Sequence, residues 1–406
     1  TAGHQVLVIE AGTVNTEPDQ DAFAVEPAAS PLPYDFRAAT LRRPGGSSRL
    51  WEGQAPRPLA HELDLWPLSL QNLSPWLDQA EQWLQISPLT GTDGLSRLLQ
   101  DIGCRDTVAA AYSRRDRYQA SPLSLLDHGV IERLEQRHKL TLLAGTQVKQ
   151  LLFNGSRVVA LRCVDEQGNQ RDIEAHQVVL CGGGIQSIRL LWNSPAPGLG
   201  GIAGNHDNWL GAGFMEHPVE FSLGRLVRPV LEDGYQEAHI HVRDGVSEGL
   251  PQRGTLLRVG VSRGADLIEY NMIEAIFEQR PQHHNRLLPG KTKDRFGMSL
   301  PQLTYQLDDQ DIAAIEQGRQ LMSRLALSLG PVDRHTTLRP GSHHLLGGAR
   351  MTPDGSRGVV DTDLKVWGSD NLHVLSSAVF PTGLTVPPTL LIVALAHRLG
   401  AHMAGN

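Results

Sequence analysis

The segment that most restricts the fold runs from Val178 to Trp192. It reads Val178-Val179-Leu180, then Cys181-Gly182-Gly183-Gly184, then an apolar helical pattern from Ile185 to Trp192. An unbroken aliphatic run is a strand buried on both faces, the mark of a parallel sheet. Three glycines in succession strip the following turn of side chains, so backbone N–H groups at the helix start can approach a ligand closely. A second buried strand, Val6-Leu7-Val8-Ile9, closes on Glu10-Ala11-Gly12. A third signal, Leu372 to Leu375, precedes a helix from Pro388 to about Met403. Between them, Val219 to about Tyr305 alternates apolar and polar residues in short runs such as His239-Ile240-His241-Val242, the pattern of an antiparallel sheet with one exposed face. This interleaving predicts an α/β chain: a Rossmann-like cofactor domain built from discontinuous segments, with an inserted α+β substrate domain carrying the antiparallel sheet. The expected division is 1–60, 130–215 and 345–406 for the cofactor domain, with 61–129 and 216–344 as substrate domain and cap segments.

The other elements are read from periodicity and punctuation. Leu73 to Ile86 is an amphipathic helix with Ser74 as cap and Pro75 in its first turn. Leu140 to Val148, Val158 to Asp165 and Arg171 to Gly184 read as strands, with a hairpin turn at Glu166-Gln167-Gly168-Asn169. Asp308 to Leu329 is an amphipathic helix opened by Asp308-Asp309 and closed by Gly330-Pro331. At 406 residues the chain is too long for one small core, and 40% hydrophobic with 20% charged residues is an ordinary globular composition. The net charge of −7 is spread without a basic stripe, which argues against a nucleic-acid partner. Cys104, Cys163 and Cys181 form no CxxC pair, so neither a disulfide frame nor a metal site is expected. No apolar run approaches the ~20 residues of a membrane helix. The chain opens on Thr1 and enters a strand almost at once, which reads as an N-terminally truncated product; a soluble protein of cytoplasm or periplasm is expected, with the compartment open.

Several short motifs point to a cofactor. Glu10, at a strand end, suits hydrogen bonding to ribose hydroxyls. Gly45-Gly46-Ser47-Ser48 leads to Trp51 and Gly53, and Leu65-Trp66-Pro67-Leu68-Ser69 follows. Further along stand Ala144-Gly145-Thr146-Gln147-Val148, Met215-Glu216-His217-Pro218, Ser342-His343-His344-Leu345-Leu346-Gly347-Gly348, and Phe380-Pro381-Thr382 ahead of Pro387-Pro388-Thr389. Taken together, almost end to end, these resemble the glucose–methanol–choline (GMC) family of flavin-dependent alcohol oxidoreductases.

The resemblance implies FAD as cofactor and an FAD-binding role for the discontinuous domain. Glu10 would meet the adenosine ribose, and Val148 the adenine through its backbone. Gly45, Gly46, Ser47, Ser48, Trp51 and Gly53 would pass along the flavin. Gly183 would lie in the second glycine turn, with Ser376, Val379, Pro388 and Thr389 beside the cofactor. The family's G-x-G-x-x-G turn, which precedes the strand ending at Glu10, is missing from this sequence. Glu216 and His217 would border the domain junction and substrate entrance. His344 would accept the substrate hydroxyl proton while hydride passes to flavin N5, with His343 as the competing assignment. Pro387 stands where the family has Asn or His, so one polar partner of the reacting oxygen is lost, at a cost of ~3 kcal/mol. The implied activity is dehydrogenation of a CH–OH group of a sugar, polyol or other alcohol, the electron acceptor being open. A non-catalytic member of the family and a flavin-containing hydroxynitrile lyase are the alternatives.

Overall fold

The computed structural model describes residues 4–13, 26–27, 39–51, 53–85, 108–111, 130–137, 139–225, 237–242, 254–263, 269–329, 332–335, 338–339 and 341–405. The expectations for Cys104 and the closing Gly330-Pro331 lie outside these residues. The fold is mixed α/β. Two of the three parallel strand pairs among the described residues join the segments around the cavity: Val6–Ile9 pairs with Leu140–Leu143, and Val178–Leu180 pairs with Leu372–Val374. The helices Gly183–Trp192 and Thr389–Met403 follow the second pair and share one core with it, in which Ile188, Leu191, Leu346, Val374, Leu391 and Leu395 are buried. The helix Leu70–Leu84 packs on Thr389–Met403 through Leu73, Leu77, Ala80 and Leu84, spaced to form a single stripe.

That helix starts earlier than its sequence suggested. Ser69 is the cap: its Oγ accepts from Asn72 N at 3.2 Å while Asn72 Oδ1 accepts from Ser69 N at 3.0 Å. This reciprocal pair fixes the first turn at Leu70 and leaves Pro75 inside the helix, where burial of Leu73 and Leu77 outweighs one missing backbone bond. The strand expected from Leu140 to Val148 breaks at Gly145, whose N–H donates to Gly12 O; beyond it Thr146–Asn154 joins an antiparallel sheet with Arg157–Asp165 and Gln170–Glu174. The strand expected from Arg171 likewise divides, ending at Glu174 and resuming at Val178, with the helix beginning at Gly183.

The region from Val219 onward makes two sheets rather than one. Six antiparallel strands lie in the order Val332–His335, Val219–Arg225, Glu269–Phe277, Thr255–Arg263, Glu237–Val242 and Val108–Ala111. Arg286–Lys293 and Ser299–Thr304 form a separate hairpin, edged by Glu26–Pro27. The exposed face expected of the large sheet is covered: Thr255, Leu256, Leu257, Arg258 and Val259 are all buried. On one side lies the helix Asp309–Leu329, whose Arg319 grips the buried Glu220; on the other lies the cavity described below. Among the described residues, no helix is long and apolar enough to cross a membrane.

Gly184 fixes the second glycine turn against the loop carrying His344. A Cβ there would lie 2.3 Å from the Leu345 carbonyl oxygen. Backbone cannot swing aside as a side chain can, so Gly184→Ala is expected to lower stability by about 2–3 kcal/mol. Urea unfolding measures this, and a loss below 0.5 kcal/mol (order of magnitude) would show the two segments to be loosely seated.

Candidate active site

A cavity of about 2740 Å³ runs between the parallel strands, the glycine turns and the large antiparallel sheet. It collects most of the residues singled out from sequence. Glu10, Val148 and Gly183 line it, as do Gly45, Gly46, Ser47, Ser48 and Trp51 from one loop. Ser376, Pro387, Pro388 and Thr389 line it from the C-terminal segment, and His343 and His344 from theirs. Four expected residues do not. Gly53 is buried behind its loop, and Val379 is fully buried in the core, where its carbonyl accepts from Met351 N. Glu216 and His217 are fully buried, so neither is placed to contact substrate; their polarity is directed inward, at the loop carrying His344.

The lining suits a dinucleotide flavin. The helices Gly183–Trp192 and Thr389–Met403 both start at the cavity wall, and neither has an acidic residue in its first turn, so their positive ends are not neutralised by their own side chains. Ser187, on the first of these helices, lines the cavity with its Oγ buried and without a hydrogen-bond partner among the described residues. Glu10 Oε1 accepts from Gly12 N at 2.8 Å, and burial raises its pKa. Ser47 and Ser48 donate within their own loop, to Ala39 O and Gly45 O, so they shape that wall through its turn.

The chemistry centres on two imidazoles. His217 Nδ1 and His344 Nδ1 are 2.8 Å apart, with the rings edge to face. His217 Nε2 lies 2.8 Å from Gly383 O. A carbonyl only accepts, so His217 carries its proton on Nε2 and, when neutral, presents a bare Nδ1. The short contact then requires the proton of His344 on Nδ1, shared with Ser342 Oγ at 2.8 Å. His344 Nε2 is left with its lone pair and has no hydrogen-bond partner among the described residues. That is the form a general base needs.

Buried charge and polarity hold this arrangement. Glu216 Oε2 accepts backbone N–H groups from His217 at 2.9 Å, and from Ser342 and His344 at 3.1 Å each. Burial pushes the Glu216 carboxyl up to about 8, against the pull of those donors. Burial also pushes His217 down to about 4, opposed by its bond to Gly383 and by the charge of Glu62. Glu62 is itself fixed by Thr385, whose N–H and hydroxyl donate to Oε1 at 3.0 and 2.6 Å. His344 falls well below the usual histidine range, through burial first and then through His217, His343 and Arg258. Both imidazoles are therefore neutral at physiological pH.

The lowered pKa of His217 has a signed consequence. Below pH 6.5 the unfolded chain takes up a proton here that the folded chain accepts only near pH 4. The contribution is full above pH 6.5 and falls away with acidification, by about 3 kcal/mol across the window. Urea unfolding of the parent and of His217→Gln is expected to show their difference changing by this amount between pH 7 and pH 4. A difference that stays constant would mean that His217 is not held neutral.

Sequence reasoning missed Ser342, Glu62 and Arg258. Ser342 had a signal, two residues ahead of His344. Glu62 lies far from His217 in sequence, and Arg258 looks like an ordinary charged position of an alternating strand. Trp66 and Thr382, noticed as separate motifs, meet: Trp66 Nε1 donates to Thr382 Oγ1 at 2.9 Å.

Comparison with known proteins shows the family. Two family models described as GMC oxidoreductase, for its N- and C-terminal domains, match residues 126–219 and 281–396, just over half of the chain. The C-glycoside 3-oxidase of Microbacterium trichothecenolyticum is 26% identical over 408 residues, covering 90% of this chain and 76% of that protein. The 2-methyl-1,2-propanediol dehydrogenase of Mycolicibacterium austroafricanum is 23% identical over 505 residues, covering 99% and 91%. Among solved structures, pyridoxine 4-oxidase from Mesorbium loti superposes with a TM-score of 0.71 at 19% identity, covering 99% of this chain and 94% of that one. On the two family-model matches, which together span just over half of it, the chain belongs to the GMC oxidoreductase family.

Proposed function

We propose that this oxidoreductase dehydrogenates a CH–OH group of a sugar, polyol or other small alcohol, with FAD as cofactor and His344 as the base. The observation that carries the reading is the hydrogen-bond chain Gly383–His217–His344, which leaves His344 Nε2 as a neutral acceptor on a residue lining the cavity. Glu10, Gly183, Pro388 and Thr389 would hold the cofactor, with Val148 and the Gly45–Trp51 loop alongside. FAD, when bound, supplies the acceptor for the hydride, at N5.

The chain's own residues handle the proton. His344 Nε2 takes it from the substrate hydroxyl, and the charge that develops is shared through Nδ1–H with His217 and Ser342. His217 keeps its orientation because Nε2–H is committed to Gly383, and the Glu62 carboxylate lies within electrostatic reach behind it. Pro387 lines the cavity with no donor to offer, so the support for His344 comes from His217 and not from position 387. Segments 1–60, 130–215 and 345–406 would make up the cofactor domain and the intervening segments the substrate side. The names of the two relatives, a glycoside oxidase and a diol dehydrogenase, fit a hydroxylated substrate.

The test is an absorption spectrum of the flavin-loaded protein before and after anaerobic addition of sugars, polyols and simple alcohols. Bleaching of the flavin bands by one class is the expected result. Bound flavin that no alcohol bleaches would refute the reading, and cyanide release without bleaching would replace it with lyase chemistry.

A further inference from the structure

The large antiparallel sheet presents an ion pair to the cavity. Arg258 and Glu274 stand directly opposite each other on neighbouring strands, with Nε and Oε2 3.0 Å apart. Their side chains are only 10% and 18% exposed, and both line the cavity together with Val219 and Ile276 of the same face. Arg258 also reaches Met272 Sδ at 3.8 Å, a weak acceptor. The pair lines the same cavity as His344. Beside it, the Arg339 guanidinium lies 4.9 Å over the ring of Phe221, which is paired with Glu274 on the other side.

Stability gives a poor reason for charge at this place. A buried ion pair seldom outperforms apolar side chains of the same volume, because desolvation offsets the attraction. The opposite face of the sheet already carries the Arg319–Glu220 pair that holds the packing helix. What Arg258 and Glu274 offer that Leu and Met would not is a donor edge and an acceptor side by side on one wall. A hydroxyl can accept from Arg258 and donate to Glu274, so two adjacent hydroxyls match such a pair while a third is presented to His344, whereas a simple alcohol spends its one hydroxyl on His344 and has none for the wall. The charges cancel within the pair, so the wall gives an anion no particular advantage.

We infer that Arg258 and Glu274 form the substrate-recognition wall and select a neutral polyhydroxylated alcohol through adjacent hydroxyls. This rests on the alcohol-oxidoreductase reading above and names the substrate class for the same site. Neither residue touches the reacting atoms in this assignment; they set affinity.

The experiment measures binding apart from turnover. Titration calorimetry on the flavin-loaded parent and on the Arg258→Met/Glu274→Leu variant uses sorbitol and methyl glucoside as neutral polyols, gluconate as an anion and 1-butanol as a simple alcohol. The parent is expected to bind at least one polyol about tenfold more tightly than gluconate or 1-butanol. The double variant is expected to unfold at the same temperature as the parent or higher, yet to bind that polyol about thirtyfold more weakly, with 1-butanol unchanged. Glu274→Gln and Arg258→Lys, which keep a polar pair, are expected to lose only about fivefold and serve if the double variant does not fold. Polyol affinity unchanged from the parent in the double variant, or in both conservative variants where they stand in for it, overturns the inference, as does a parent that prefers gluconate or 1-butanol or binds no polyol. Anaerobic flavin bleaching separates the two readings. A polyol that binds through this wall but never bleaches the flavin sinks the oxidoreductase reading alone. Bleaching with affinity indifferent to both residues sinks only the recognition wall.

Discussion

Replacing His344 with alanine is expected to slow reduction of the bound flavin by alcohol about a thousandfold, leaving the flavin bound and the fold intact. The size of the effect follows from losing the neutral acceptor that the Gly383–His217 chain would prepare at the cavity wall. The fold should survive because His344 is half-buried and its removal strands two groups, the buried His217 Nδ1 and the part-buried Ser342 Oγ, at a cost of about 1–3 kcal/mol. His343 provides the contrast. It is exposed, sits at a φ of 66°, and was the competing candidate from sequence. His343→Ala should change the rate only a few-fold, an order-of-magnitude expectation for a group outside the hydrogen-bonded pair. Anaerobic stopped-flow absorbance measures both variants. An unaltered rate in His344→Ala, or equal losses in the two, would overturn the assignment; partial recovery of His344→Ala by added imidazole would strengthen it.

How legible the molecule was depends on whether a feature is local. Val178–Leu180, the glycine turn and the helix after it could be read because strand, turn and helix all lie within fifteen consecutive residues. That Val178–Leu180 pairs with Leu372–Val374 could not, since neither segment alone encodes its partner. The start of the first long helix was misplaced because Ser69 and Ser74 are both plausible caps, and the deciding signal, Asn72 three residues after Ser69, is a less familiar form of the capping box. Glu216 and His217 were read as an entrance because sequence reports polarity but not direction. In the structure both turn inward, and their role becomes visible only once the Ser342–His344 loop is seen to lie against them. Gly53 and Val379 are each close in sequence to lining residues, yet both are buried and neither lines the cavity. Arg258 and Glu274 needed the strand register, which alone shows two unremarkable charges to be neighbours.

Glu216 is the residue on which the whole loop depends, and Glu216→Ala should be the most destructive single change at the site. One carboxyl oxygen of Glu216 accepts three backbone N–H groups, from His217, Ser342 and His344, in a place without solvent access to Glu216. Alanine leaves all three donors unmet. At about 1–3 kcal/mol each, the loss of roughly 5 kcal/mol is comparable with the entire stability of many domains. Little folded protein is expected, and any that folds should have lost alcohol oxidation through disorder of the His344 loop. Glu216→Gln separates this anchoring from charge, because its amide oxygen can take all three bonds. Its stability relative to the parent should also depend on pH with a definite sign. The folded parent keeps the Glu216 proton up to about pH 8, whereas the unfolded chain releases it near 4.5. The parent's stability from this group is therefore present below pH 4.5 and is lost as pH rises to 8, by roughly 3–5 kcal/mol. The glutamine variant, which does not titrate, should gain on the parent across that interval, opposite in direction to the His217 comparison. Urea unfolding of parent and variant at pH 5 and pH 8 measures it. A glutamine variant as damaged as the alanine one would show that the charge, and not the acceptor geometry, holds the loop.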